Sequence, residues 1–142
     1  GAMANPRTKE TAKENEDANG NIRSMDNIYM NGPEIYAFTL RGVPDLIEKT
    51  LIKNNTTMDQ IDYVILHQAN KLVLESLREK LEIPAEKYCI DVEDIGNTVS
   101  STIPIALRRS KDRNIPQVKS GNKILIAGFG VGYSLGATVI TV

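Results

Sequence analysis

The stretch Tyr63-Val64-Ile65-Leu66-His67-Gln68-Ala69-Asn70 decides the fold of this chain. Four apolar residues in a row, Val64 and Ile65 β-branched among them, mark a short strand buried on both faces. Behind Asn70 the period changes. Leu72, Val73, Leu77 and Leu81 fall on one face and Glu75, Arg78, Glu79 and Lys80 on the other, which predicts an amphipathic helix that Ile83-Pro84 stops. The polar residues from His67 to Asn70 therefore stand where a buried strand hands over to a helix. In open α/β sheets that end of a strand is where ligands gather.

Upstream, Asn31-Gly32-Pro33-Glu34 reads as a helix start, with proline in the first turn and an acid behind it. Ile35, Phe38, Leu40, Val43, Leu46, Ile47 and Leu51 then recur at helical spacing, Pro44 predicts a kink or break, and Asn54-Asn55-Thr56-Thr57 ends the helix. Downstream, Tyr88-Cys89-Ile90-Asp91 reads as a second short strand. Thr98 to Arg109 reads as a helix capped by Asn97 or a neighbour, with Pro104 early enough that its missing N–H costs little. A charged connector from Ser110 to Gly121 leads to two strands, Lys123–Ala127 and Gly136–Val142, around a glycine-rich turn. The order helix, strand, helix, strand, helix, strand, strand gives an α/β sheet with helices packed on its faces and a hairpin at its end.

The first four residues, Gly1-Ala2-Met3-Ala4, read as a cloning scar, and the polar stretch up to residue 27 predicts a mobile or weakly packed segment. Residues 28–142 form the expected folded domain. A net charge of -1 gives no electrostatic case for nucleic acid, and no apolar run approaches the roughly 18 residues of a membrane span. One cysteine excludes an internal disulfide, and one histidine with one cysteine argues against a zinc centre, so no metal site is expected. The composition fits a soluble cytoplasmic protein.

Three loops carry candidate chemistry. His67 is flanked by polar residues in an otherwise apolar run, although a lone histidine is often structural. Asn97 in Gly96-Asn97-Thr98 reads first as a helix cap that could still offer its amide elsewhere, although one side chain rarely serves both roles fully. Gly128-Phe129-Gly130-Val131-Gly132 fails the dinucleotide fingerprint, because Leu135 stands where the third glycine belongs and a strand follows where a helix is needed. A glycine-rich hairpin that lets backbone amides approach a substrate survives. Cys89 lies mid-strand, where a small core residue is the simpler reading than a nucleophile. Lys71, Arg78, Lys80, Arg108 and Arg109 read as solvated helix faces; an acidic partner could dock there.

With these residues in view, the chain from about Tyr29 to Val142 resembles the C-terminal half of a β-ketoacyl-acyl-carrier-protein synthase III, a condensing enzyme of the thiolase superfamily. The motifs are Met30-Asn-Gly-Pro-Glu34, His67-Gln-Ala-Asn70, Gly96-Asn-Thr-Val-Ser-Ser-Thr-Ile-Pro104 and Gly128-Phe-Gly-Val-Gly132, in order and at matching spacing. The resemblance implies half of a thiolase-like fold, with a mixed sheet and helices on its faces. It also implies a Cys-His-Asn site whose His and Asn match His67 and Asn97 and whose cysteine belongs to an N-terminal half. Val131 matches the backbone oxyanion donor. Phe129, Gly130 and Gly132 match the substrate pocket, and Lys71, Arg78 and Lys80 the side that meets a carrier protein. The substrates so implied are coenzyme A thioesters and acyl carrier protein, with no cofactor, in a homodimeric parent enzyme. Without the nucleophile this chain alone is expected to be inactive. A non-catalytic or chain-length-type subunit, and a non-decarboxylating acyltransferase of the same fold, are the alternatives; retention of both His67 and Asn97 favours condensation.

Overall fold

Leu66 and Ala127 pair side by side in parallel strands, and everything of chemical interest is hung from their C-terminal ends. The computed structural model describes residues 6–130 and 133–142. In chain order the elements are β1 (Asn15–Glu16), β2 (Ile22–Arg23), α1 (Gly32–Lys53), β3 (Tyr63–Leu66), α2 (Lys71–Lys80), α3 (Thr102–Asp112), β4 (Lys123–Gly130) and β5 (Ser134–Thr141). Short 3-10 turns lie at Met58–Gln60, Ala85–Lys87 and Val99–Ser101. The chain divides into two compact units, Gly1–Gly32 and Pro33–Val142.

In the first unit β1 and β2 pair antiparallel, with Asn15 opposite Arg23. Asp17 anchors the turn between them: its Oδ1 accepts the main-chain N–H groups of Asn19 at 2.8 Å and Asn21 at 3.0 Å. Those donors, the Asn21 amide first, hold its carboxyl below the usual carboxylate range.

In the second unit β4 is the central strand of three. It pairs parallel with β3, Tyr63 to Leu66 matching Ile124 to Ala127, and antiparallel with β5, Ile124 facing Ile140 and Phe129 facing Leu135. The sheet is thus mixed. All four residues of β3 are buried, as a strand covered on both faces requires. Because side chains alternate, Val64 and Leu66 join Val43 and Ile47 of α1 and Leu74 and Leu77 of α2 in one core. Tyr63 and Ile65 join Cys89, Ala106 of α3, Val118 and Ile124 in a second core on the opposite face.

Four sequence expectations change. α1 runs through Pro44 unbroken for 22 residues, and its buried stripe is Thr39, Val43, Ile47 and Thr50. The lost hydrogen bond at Pro44 is offset by burial of Val43 and Ile47 nearby. Thr50 can be buried because its hydroxyl donates to the Leu46 carbonyl at 2.8 Å. On α2 the buried face is Val73, Leu74 and Leu77, and Leu72 is 66% exposed. The expected strand at Tyr88–Asp91 contributes a single parallel bridge between Val64 and Tyr88. The glycine-rich turn is mostly strand: Gly128 faces Gly136 and Gly130 faces Ser134, so β4 and β5 run further than their apolar residues indicate.

Three helices end alike. After α1, α2 and α3 the residues Asn55, Glu82 and Asn114 take left-handed φ values of 49°, 53° and 53°. Thr56, Ile83 and Ile115 then donate back to the carbonyls of Leu51, Arg78 and Ser110 at 3.0–3.1 Å, the closing bond of a Schellman motif.

Candidate functional site

His67 is the first residue beyond β3, and its backbone is still tied to the sheet: its N–H donates to the Ala127 carbonyl at 2.8 Å. The ring is half-buried. It meets Phe129 edge to face, with centroids 5.3 Å apart and planes at 83°. On its other side Nδ1 lies 2.7 Å from the hydroxyl of Thr102, in the first turn of α3. Burial lowers the imidazole pKa, which favours the neutral ring. A neutral imidazole can present one N–H to a developing negative charge without carrying a full charge itself.

Gln68 fixes this corner. Its side chain is 1% exposed, and Nε2 donates to the Leu66 carbonyl at 2.8 Å and the Cys89 carbonyl at 3.3 Å. Its Oε1 accepts the Asp91 N–H at 2.7 Å. One amide therefore replaces the strand pairing that Tyr88–Asp91 does not make. Asn70 caps α2, its Oδ1 accepting the Val73 N–H at 2.9 Å. The sequence shows the polar run but not this division of labour, in which only His67 keeps a ring nitrogen uncommitted.

Asn97 is exposed and does not cap α3, whose N-cap position is Ser101 with no side-chain bond. Its Oδ1 instead accepts the Val99 N–H at 2.8 Å, an Asx turn two residues on. With the carbonyl end engaged, the NH₂ end is the one left to donate. Val99 takes φ +57°, a left-handed value that costs a β-branched residue about 1–2 kcal/mol. Its carbonyl lies 3.1 Å from the Thr102 hydroxyl. Thr102 was not singled out from the sequence, since its partner stands 35 residues away.

Phe129 and Gly130 close β4 and, with Gly128, Ser134, Leu135 and Gly136, line an open hollow at the end of the hairpin. Leu135 lies so close to α1 that a Cβ on Gly42 would come within 2.6 Å of it. Val131 and Gly132 lie outside the described residues.

Cys89 is not a nucleophile candidate in this setting. It is 4% exposed, burial raises its thiol pKa, and its Sγ lies 3.9 Å from the Ser110 hydroxyl. Its neighbour Tyr63 is pushed up to about 12 by the same burial. Of the basic residues, Lys71 pairs with Glu93 at 2.6 Å, and Arg78 reaches the Ile83 carbonyl beyond the end of α2. Lys71 and Arg78 share a helix face, seven residues apart, while Lys80 falls on the opposite one. Arg108 pairs with Asp112, and Arg109 with Asp91 and Asp94. Among the described residues no group of three His, Cys, Asp or Glu could hold a metal ion, and no helix is long and apolar enough to cross a membrane.

Residues 51–142 match the family described as 3-oxoacyl-[acyl-carrier-protein (ACP)] synthase III C terminal. Over 112 residues the chain is 42% identical to a β-ketoacyl-[acyl-carrier-protein] synthase III from Trichodesmium erythraeum, covering 79% of this chain and 33% of the relative. The enzyme of the same name from Synechocystis is 40% identical over 113 residues, with 80% and 34% covered. The chain thus spans about a third of the length of these relatives. A 2.1 Å crystal structure of a 3-oxoacyl-(acyl-carrier-protein) synthase III superposes with a TM-score of 0.89 at 39% identity, over 96% of this chain and 40% of that one. The synthase III of Aquifex aeolicus gives 0.75 at 32% identity, over 91% and 39%. The mixed sheet with its helices is accordingly a thiolase-like α/β fold, and the chain belongs to the 3-oxoacyl-[acyl-carrier-protein] synthase III family, of which it carries the C-terminal region.

Proposed function

We propose that this chain supplies the histidine and asparagine of a Cys-His-Asn site for decarboxylative condensation, in which an acyl-CoA primer is joined to malonyl-ACP in fatty acid or related biosynthesis. The acyl group is first carried as a thioester on a cysteine that is not in this chain. His67 and Asn97 donate N–H bonds to the thioester carbonyl of the malonyl group. As carbon dioxide leaves, its bonding electrons pass into that carbonyl as an enolate, and two neutral donors stabilise the charge where it develops. The carbanion then attacks the acyl-cysteine carbonyl, and the backbone N–H of Val131 is assigned to the tetrahedral oxyanion. Collapse expels the cysteine thiolate. Phe129 and Gly130 line the approach, Gly132 is assigned to the same pocket, Lys71 and Arg78 offer positive charge to an acidic carrier protein, and the intact enzyme works in the cytoplasm as a homodimer. No cofactor enters these steps.

The observation that carries this reading is the placement of the His67 ring at the end of β3 between Phe129 and Thr102, where burial favours its neutral form. Cys89 is buried, and on this reading the chain alone neither loads from an acyl-CoA nor condenses.

The test is malonyl-ACP decarboxylation and acyl loading by the intact enzyme and its His67→Ala and Asn97→Ala variants. Loss of carbon dioxide release by about 10²–10³-fold with loading retained is the expected result. Loading without decarboxylation in the unmutated enzyme would move the reading to simple acyl transfer. Neither activity would make the chain a non-catalytic or chain-length-type subunit.

A further inference from the structure

A neutral histidine has one proton to place on two nitrogens, and which nitrogen holds it decides whether His67 can donate to a carbonyl at all. The nitrogen on the protein side is Nδ1, 2.7 Å from Thr102 Oγ1. Thr102 has one hydroxyl proton and two places to put it: Nδ1, or the Val99 carbonyl at 3.1 Å. If it went to Val99, Nδ1 would have to carry the imidazole proton and Nε2 would be a bare acceptor. A bare lone pair facing an enolate oxygen repels it.

Two observations favour donation to Nδ1. The contact to Nδ1 is the shorter by 0.4 Å. The Val99 carbonyl also has a second donor already, the backbone N–H of Thr102, which closes the 3-10 turn. Turning the hydroxyl to His67 therefore leaves no buried acceptor unpaired. Thr102 itself is 2% exposed, so no water competes for the hydroxyl.

We propose that the Thr102 hydroxyl donates to Nδ1 of His67 and thereby fixes the imidazole proton on Nε2, the nitrogen left for the substrate carbonyl. This inference rests on the donor role given to His67 above. Thr102 is a positioning residue, since it acts through the ring. Val99 ties it to the other donor: the strained residue gives its N–H to Asn97 Oδ1 and its carbonyl to Thr102. The chain Asn97–Val99–Thr102–His67 thus orients both N–H groups from one turn at the head of α3.

His67 is the single histidine of the sequence, so ¹⁵N-histidine labelling of this chain gives one imidazole, readable without assignment. Near pH 8 the expected spectrum shows Nε2 as the protonated nitrogen and Nδ1 as a hydrogen-bonded acceptor. Thr102→Val should move the Nδ1 resonance downfield to that of an imidazole nitrogen without a donor, or bring in the second tautomer; Thr102→Ser should leave it in place. A protonated Nδ1 in the unmutated chain overturns the proposal, and so does an Nδ1 resonance unmoved in Thr102→Val. If Thr102→Val does not fold, the unmutated spectrum and an unmoved Thr102→Ser resonance still decide it. In the intact enzyme Thr102→Val should lower malonyl decarboxylation about tenfold with acyl loading kept, and Thr102→Ser less than twofold. Full decarboxylation by His67→Ala would sink the donor reading, and the tautomer result would stand apart from it.

Discussion

The side-chain carbonyl of Gln68 accepts the main-chain N–H of Asp91 at 2.7 Å, and the same amide donates to the carbonyls of Leu66 and Cys89. A buried side chain next to His67 thus does the pairing that a fourth strand would do. Gln68→Leu keeps the volume and removes all three bonds, leaving one N–H and one or two carbonyls buried without partners. The expected loss is about 2–4 kcal/mol in urea denaturation. A loss below about 1 kcal/mol would mean that water or a shifted backbone serves these groups as well.

His67 should titrate below the ordinary imidazole value of about 6.5. The cause is burial, which disfavours the charged ring. The unfolded chain binds the proton more readily, so this contribution to stability is complete above the unfolded value and is lost as pH falls through the folded one. An NMR titration of the single imidazole checks it. Phe129→Ala opens the edge-to-face side and should raise the midpoint toward the ordinary value; an unchanged or lower midpoint would count against burial as the cause.

Much of this was legible where the chain obeys one period. Tyr63–Leu66 is a buried apolar run and the final hairpin two apolar runs joined by glycines, and they emerge as β3, β4 and β5. The reading slips where a side chain does what backbone or apolar packing does elsewhere. Thr50 lies in the buried stripe of α1 because its hydroxyl is satisfied within the helix, and Tyr88–Asp91 is no strand because Gln68 takes its bonds. Leu72 and Leu74 have the same hydrophobicity, and the geometry after the Asn70 cap turns one out and the other in. His67 could be found from its place after a buried strand. Its partners Thr102 and Phe129 lie 35 and 62 residues further on, and no local pattern joins them to it.

Asp91 holds the loop after Gln68 by a second device. Its carboxylate, 4% exposed, lies 2.6 Å from Arg113 Nη1 and 2.8 Å from Arg109 Nε, the latter contact lacking hydrogen-bond alignment. Arg109 also reaches Asp94 at 2.6 Å, which lowers the Asp94 carboxyl pKa through that side-chain hydrogen bond. Asp91→Ala should cost about 2–4 kcal/mol, because it leaves two guanidinium groups facing a dry carboxylate site. Arg113→Ala should cost less than about 1 kcal/mol, since its side chain is half exposed. Equal losses in the two variants, measured by urea denaturation, would overturn this asymmetry.

Glu82 offers the opposite kind of change, one that stabilises. It follows α2 at φ +53°, is exposed, and carries a side chain where the Schellman motif favours glycine. Relief of left-handed strain by Glu82→Gly is worth about 1–2 kcal/mol, and the greater freedom of glycine in the unfolded chain returns part of it. The net expectation is a gain of about 0.5–1 kcal/mol, seen as a higher urea midpoint at unchanged slope. Asn55→Gly and Asn114→Gly, in the same motif at φ 49° and 53°, should gain less, because asparagine already tolerates this conformation. If all three substitutions gave the same gain, the strain would depend on the turn and not on the side chain. A destabilised Glu82→Gly would show that the carboxylate makes a contact worth more than the strain it costs.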